Sequence, residues 1–106
     1  MAAMRAQSFV LLLLLSAGAP ARAGNAHVIV IDAMEFKPRT LEVRVGDTVT
    51  WTNKDPFPHT AASSKTAFSS PEIGSGKSWK MVVRTKGDFD YICTLHPTMK
   101  ARLLVK

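Results

Sequence analysis

Leu41-Glu42-Val43-Arg44-Val45-Gly46-Asp47-Thr48-Val49-Thr50-Trp51 is the stretch from which the fold is read. Leu41, Val43 and Val45 fall on one side of an extended backbone and Glu42 and Arg44 on the other, the period-two pattern of a half-buried strand. Gly46-Asp47 reads as a turn, and Val49 and Trp51 then continue one face of a second strand. The same period holds in both directions from here. Upstream, Val28 to Ile31 is a β-branched run suited to a buried strand, and Met34 and Phe36 alternate until Pro38 interrupts pairing. Downstream, Asn53 to Pro58 holds two prolines and ends the Trp51 strand. Ala61 to Gly76 is polar and short-chained, with Phe68 and Ile73 as its main apolar anchors, and is expected to run over the surface as a long loop or irregular edge. Trp79, Met81 and Val83 alternate next; after a Lys86-Gly87-Asp88 turn, Phe89, Tyr91 and Cys93 share a face, and Ala101 to Val105 closes the chain as a last strand.

No segment offers a helical face of useful length. Six or seven short strands punctuated by Gly, Pro and Asp predict an all-β fold, a two-sheet antiparallel sandwich or small barrel with Trp51, Trp79, Phe36 and Phe89 at its centre.

The first 23 residues read as an address. MAAMRAQS carries Arg5 and no acidic group, Phe9 to Leu15 is apolar, and Ser16 to Ala23 is small-residue and Pro-containing, ending Ala21-Arg22-Ala23. That order predicts a secretory signal cut after Ala23, with Ala26 as a second position, and an exported, periplasmic product. The apolar run is too short to cross a bilayer core, which takes about 20 residues. The mature domain is then residues 24–106, 83 residues. At that size one core is marginal without a disulfide or a metal, and Cys93 is the sole cysteine, so no internal disulfide can form. A lone thiol in an exported chain calls for a purpose, and a bound metal would supply one.

The chain carries a net charge of +6, or +4 once Arg5 and Arg22 leave with the signal. No basic run or basic recognition helix accompanies that excess, which argues against nucleic acid; it suits solubility or the steering of an acidic protein partner. Lys54, Lys65, Lys77 and Lys86 are read as solvated, as are the scattered carboxylates Asp32, Glu35, Asp47, Asp55, Asp88 and Asp90.

Chemistry concentrates in Cys93-Thr94-Leu95-His96-Pro97-Thr98-Met99. Three donors recur at intervals of three where one strand ends and the last begins. A thiolate and an imidazole suit a borderline or soft cation; the thioether adds a weak soft ligand that zinc would gain little from and copper uses. Two histidines, a thiolate and an axial Met serve both Cu(I) and Cu(II), so the set needs one more histidine. His59, following Phe57-Pro58 just beyond the Trp51 strand, is expected at the same end of the sandwich. His27, at the export junction, is read as an incidental polar residue; after a cut at Ala26 its imidazole and the free amine could bind copper, but nothing nearby completes that site. The predicted ligands of one copper ion are therefore His59, Cys93, His96 and Met99.

These residues resemble the cupredoxin, or blue copper, family. The stretches Val45 to Asn53, Pro58-His59-Thr60 and Gly87 to Met99 match its motifs in order over nearly the whole mature chain. Within the family the chain is most similar to the amicyanins, which share the short spacing from Cys93 to Met99, and more distantly to pseudoazurin and plastocyanin. The resemblance implies a Greek-key β-sandwich with His59, Cys93 and His96 as strong equatorial ligands and Met99 as the axial one. It also implies His96 as the electron port, within an apolar patch drawn from Met34, Phe57, Pro58, Leu95, Pro97 and Thr98. Thr60 stands where the family commonly has an asparagine that ties the ligand loops, Leu95 where amicyanins have proline, and the N-terminal extension of amicyanins is missing.

The implied function is a monomeric one-electron carrier, not an enzyme, between a donor such as a periplasmic dehydrogenase and an acceptor such as a c-type cytochrome. Neither nucleic acid nor stable membrane insertion is expected. Copper storage or delivery is the alternative with the same ligands, and a structural sandwich with degenerate ligands is a third reading.

Overall fold

A computed structural model describes residues 24–65 and 67–106. The expected leader, residues 1–23, lies outside the described residues. Among the described residues there is no helix, and eight strands form two sheets. The strands are β1 (Ala26–Asp32), β2 (Glu35–Lys37), β3 (Thr40–Val43), β4 (Thr48–Asn53), β5 (Ala62–Ser63), β6 (Ser78–Val82), β7 (Gly87–Cys93) and β8 (His96–Val105). One sheet runs β2-β1-β4-β6 and the other β3-β8-β7-β5. Only the β1–β2 and β7–β8 hairpins stay within a sheet; every other connection crosses to the facing one.

The expected β-sandwich is thus present, with mixed sheets. Each contains one parallel pair, β1 with β4 and β3 with β8, and its other pairs are antiparallel. Alternation along β4 and β8 sends Val49, Trp51, Met99, Ala101, Leu103 and Val105 inward, and the β7 face of Phe89, Tyr91 and Cys93 meets them. Trp51 is the hub: its indole N–H donates to the Tyr91 hydroxyl at 3.3 Å and its ring meets Tyr91 edge-on at 88°, with Phe68 against both rings. Burial pushes the Tyr91 phenol up, against the opposing effect of the Trp51 bond, so the hydroxyl stays protonated. Trp79 differs from expectation, packing 5.3 Å from Trp51 at the half-exposed edge strand β6 while Tyr91 and Phe68 take the central positions. Val45 is exposed because β3 ends at Val43 and the chain turns through Gly46, whose φ of 98° favours glycine.

The long segment before β6 is irregular, as expected, and its anchors Phe68 and Ile73 are buried. It also contributes β5, which extends the second sheet at β7, and an isolated bridge between Ile73 and His59.

Two carboxylates expected in solvent are buried, Asp47 and Asp55. Asp47 accepts the N–H groups of Arg44 and Asn25 and pairs with the His27 ring at 2.8 Å. His27 is therefore a residue of β1, half-buried against the β3–β4 turn, because parallel pairing of β1 with β4 sets the two side by side. The bonds from Arg44, His27 and Asn25 hold the Asp47 carboxyl at about 2, against 3.8 for the free group. A carboxyl with a depressed folded value stabilises the fold above pH 3.8 and loses that contribution as pH falls from 3.8 towards 2. Across that interval the melting temperature of the natural chain should drop more steeply than that of an Asp47→Asn variant, as followed by circular dichroism; parallel acid limbs would refute the assignment.

Candidate metal centre

Three turns meet at one end of the sandwich, and hydrogen bonds tie them to one another. The segment after β4 is organised by Asn53, which is fully buried. Its amide donates to the carbonyls of Phe57 and Ile73 at 2.7 and 2.9 Å, and its Oδ1 accepts the N–H of Asp55 at 2.8 Å. One side chain thereby fixes the path from Lys54 to His59 around the two prolines. The bridge to Ile73 then pins His59 through both its backbone groups, at 3.1 and 2.7 Å.

The second turn carries the Cys-His-Met sequence, and the structure changes its description. It is a hairpin: Cys93 pairs with His96 across Thr94-Leu95, the register shifts between Ile92 and Cys93, and β8 runs unbroken from His96 through Met99. Met99 lies next to Lys100, the register partner of Ile92, on the inward face, and is buried in the same core cluster as Cys93.

Donor atoms of His59, Cys93 and His96 all lie within 4.8 Å of one another. Cys93 Sγ is 3.6 Å from His59 Nδ1 and 3.7 Å from His96 Nδ1, and the two imidazole centroids are 5.0 Å apart. An ion with bonds of about 2.3 Å to sulfur and about 2.0 Å to nitrogen in a trigonal plane separates S and N by about 3.7 Å, so both sulfur–nitrogen separations match what such an ion requires. This is the only cluster of three or more His, Cys, Asp or Glu donors among the described residues, and His27 is not part of it. Cys93 and His59 are completely buried and His96 is half-buried, so of the three donors His96 is the one that reaches solvent.

Thr60 binds the two loops together. Its N–H points at Cys93 Sγ at 3.3 Å, its Oγ1 accepts the Thr94 N–H at 2.8 Å, and the two threonine hydroxyls are 2.8 Å apart. The departure from asparagine at this position thus leaves the loops tied, by a hydroxyl in place of an amide. The apolar residues Met34, Phe57 and Leu95 are exposed, one on each of the three turns.

Asp55 is the residue that sequence reasoning missed. It is 5% exposed, and its Oδ2 sits 2.9 Å from Nε2 of His59. Its oxygens also accept the N–H groups of Ala33 at 2.7 Å and Met34 at 2.9 Å, from the third turn, between β1 and β2. Burial raises the Asp55 carboxyl, but the bonds from Met34, His59 and Ala33 outweigh it and hold the group below the ordinary carboxylate value. The only local signal was the i,i+4 spacing of Asp55 and His59 in a proline-bounded segment, which does not by itself bury either residue.

A donor set of two imidazoles and a thiol, with the buried Met99 thioether as the candidate fourth donor, fits copper better than zinc or a hard cation. Comparison with known proteins agrees. The sequence profile of the cupredoxin-like domain matches residues 5–105. The amicyanin of Paracoccus denitrificans is 32% identical over 89 residues, covering 79% of this chain and 68% of that protein. A solved amicyanin variant in its Cu(I) form superimposes with a TM-score of 0.71 at 30% identity, over 76% of this chain and 82% of that one. The copper-containing nitrite reductase of Thermus scotoductus SA-01 superimposes with a TM-score of 0.73 at 28% identity, over 84% of this chain but only 24% of the enzyme. On this fold, this donor set and this extent of similarity, the chain belongs to the cupredoxin-like family of copper proteins.

Proposed function

We propose that this protein is an exported one-electron carrier in which His59, Cys93, His96 and Met99 hold a single copper ion. The observation that carries the reading is the convergence of His59, Cys93 and His96 at ligand spacing inside a buried, hydrogen-bonded frame. Copper bound there supplies a Cu(I)/Cu(II) couple. The protein's part is to keep its donors in place whichever state is present. His59 is held by its backbone bridge and by Asp55, Cys93 and His96 by the hairpin, and Met99 by β8, so little of the frame needs to rearrange. Four protein donors leave no position for a substrate, which favours a carrier over an enzyme.

Electrons would pass through His96, the donor that reaches solvent. The exposed Met34, Phe57 and Leu95 offer the small apolar contact expected of a transient redox encounter. The net charge of +4 on residues 24–106 would steer an acidic face of a donor dehydrogenase or an acceptor cytochrome towards a monomeric carrier. A periplasmic location follows from the leader pattern. Cleavage after Ala23 is favoured over Ala26 because Asn25 is part of the fold: its N–H donates to Asp47 and its carbonyl accepts from Thr48.

Titration with Cu(II) should give one equivalent bound and an intense blue absorption from thiolate-to-copper charge transfer; stoichiometric binding without colour would sink the reading. Cys93→Ser should abolish the colour. Met99→Leu should retain copper and shift the reduction potential, so an unchanged spectrum and potential would remove Met99 from the ligand set. Loaded protein should keep its metal through repeated voltammetric cycles; rapid loss of Cu(I) to an apo acceptor with sluggish electron exchange would point instead to copper delivery. Thr60→Val removes the acceptor for Thr94 N–H and should cost about 1 kcal/mol of stability in chemical denaturation. The Thr94 amide should then exchange faster, and an unaltered exchange rate would show that the hydroxyl does not tie the loops.

A further inference from the structure

We propose that Asp55 is a positioning residue of the metal centre: its buried carboxylate fixes the tautomer and orientation of His59 and biases the site towards the more highly charged copper state. The proposal rests on the copper-carrier reading and goes beyond it, because it concerns a residue outside the ligand set.

The geometry comes first. The His59 ring presents opposite nitrogens to two partners, Nε2 to Asp55 Oδ2 at 2.9 Å and Nδ1 to Cys93 Sγ at 3.6 Å. As a carboxylate Asp55 can only accept, and it takes the Ala33 N–H on Oδ1 and the Met34 N–H on Oδ2 beside the His59 ring. Nε2 must therefore carry the ring proton and donate it, which leaves the Nδ1 lone pair facing the thiol and His96. That is the tautomer a metal requires, selected before any metal arrives.

The carboxylate is itself held from several directions. Besides the two turn amides and His59, its own backbone N–H is bound by the Asn53 side chain. The turn that supplies the amides is costly: Ala33 and Met34 have φ of 53° and 61°, a left-handed conformation that side chains other than glycine, asparagine and aspartate seldom adopt. A two-residue hairpin of this kind usually takes Asn-Gly or a similar pair. With neither present, the two N–H bonds to Asp55 offset the conformational cost, and the hairpin and the imidazole share one anchor.

Charge supplies the second half. Among the described residues no lysine or arginine lies within ion-pair distance of Asp55, and the turn amides that bind it are neutral. A buried anion one imidazole away from the metal stabilises a dipositive ion more than a monopositive one, by Coulomb's law in a medium that screens poorly. A carboxylate partner also makes the ligating nitrogen a stronger donor, with the same consequence.

The test uses the copper-loaded full-length mature protein. Asp55→Asn keeps the size and one acceptor oxygen but removes the charge. Its preference for Cu(II) over Cu(I) should fall about tenfold, which for a one-electron couple raises the reduction potential by about 59 mV. Asp90→Asn, which removes an exposed charge paired with Arg102, should leave the potential where it is. In the diamagnetic Cu(I) form of the natural protein, NMR should find the His59 Nε2 proton further downfield and slower to exchange than that of His96, as a buried hydrogen bond to a carboxylate requires. A blue Asp55→Asn protein with an unchanged or lowered potential overturns the proposal, as does an equal shift in Asp90→Asn. Should Asp55→Asn not fold, the NMR measurement decides alone, and a His59 Nε2 proton no further downfield and no slower to exchange than that of His96 overturns it. A natural protein that binds copper without colour defeats the carrier reading itself, whereas a blue one with an indifferent Asp55 defeats only this inference.

Discussion

The hydrogen bond between the buried Asp55 and His59 is the constraint around which this end of the molecule is arranged. A carboxylate cannot be buried without compensation, and satisfying it takes two amides from the β1–β2 turn and the ring of His59. Those demands bring two separate turns together at fixed distance. Asn53 completes the arrangement by using its whole amide to shape the segment between them. The same backbone geometry holds His59, Cys93 and His96 together.

Rigidity of this kind has a chemical purpose in a one-electron site. A ligand frame that tracked the preferences of each oxidation state would have to reorganise at every transfer. Here each proposed donor is tied to an element that the core orders: His59 to Ile73, the Cys93–His96 hairpin to the aromatic cluster of Trp51, Tyr91 and Phe68 through β7, and Met99 to β8. Thr60 links the two loops and directs an N–H at the sulfur, so the replacement of an amide by a hydroxyl alters how the loops are joined without separating them.

Much of the fold was readable along the chain because strand alternation is a local signal. Leu41 and Val43, Val49 and Trp51, and Phe89, Tyr91 and Cys93 each declare one face of a strand, and the structure puts those faces inward to different depths. The parallel pairs were not readable, since strand order depends on which distant segments meet. His27 shows the consequence. Taken alone it sits at an export junction with nothing to do; once β1 lies beside β4 in parallel it reaches Asp47 and becomes part of the fold. The ligand hairpin was legible in composition but not in form. C-x₂-H-x₂-M implies a loop converging on one point, whereas the observed β8 begins at His96 because a two-residue turn and a register shift already bring the donors together.

By itself the sequence determined that this is a chain of alternating strands with one thiol, and that Cys93, His96 and Met99 occur at a spacing suited to a soft metal, because both properties lie in neighbouring residues. Only the tertiary structure decided which carboxylates are surface charges and which are structural. Asp55 lies between a lysine and a proline, in a setting that reads as solvent-exposed, and nothing within a few residues indicates the β1–β2 turn that closes over it. Burial and hydrogen bonding are properties of segments brought together from far apart, so the partner of His59 could be found only once those segments had met.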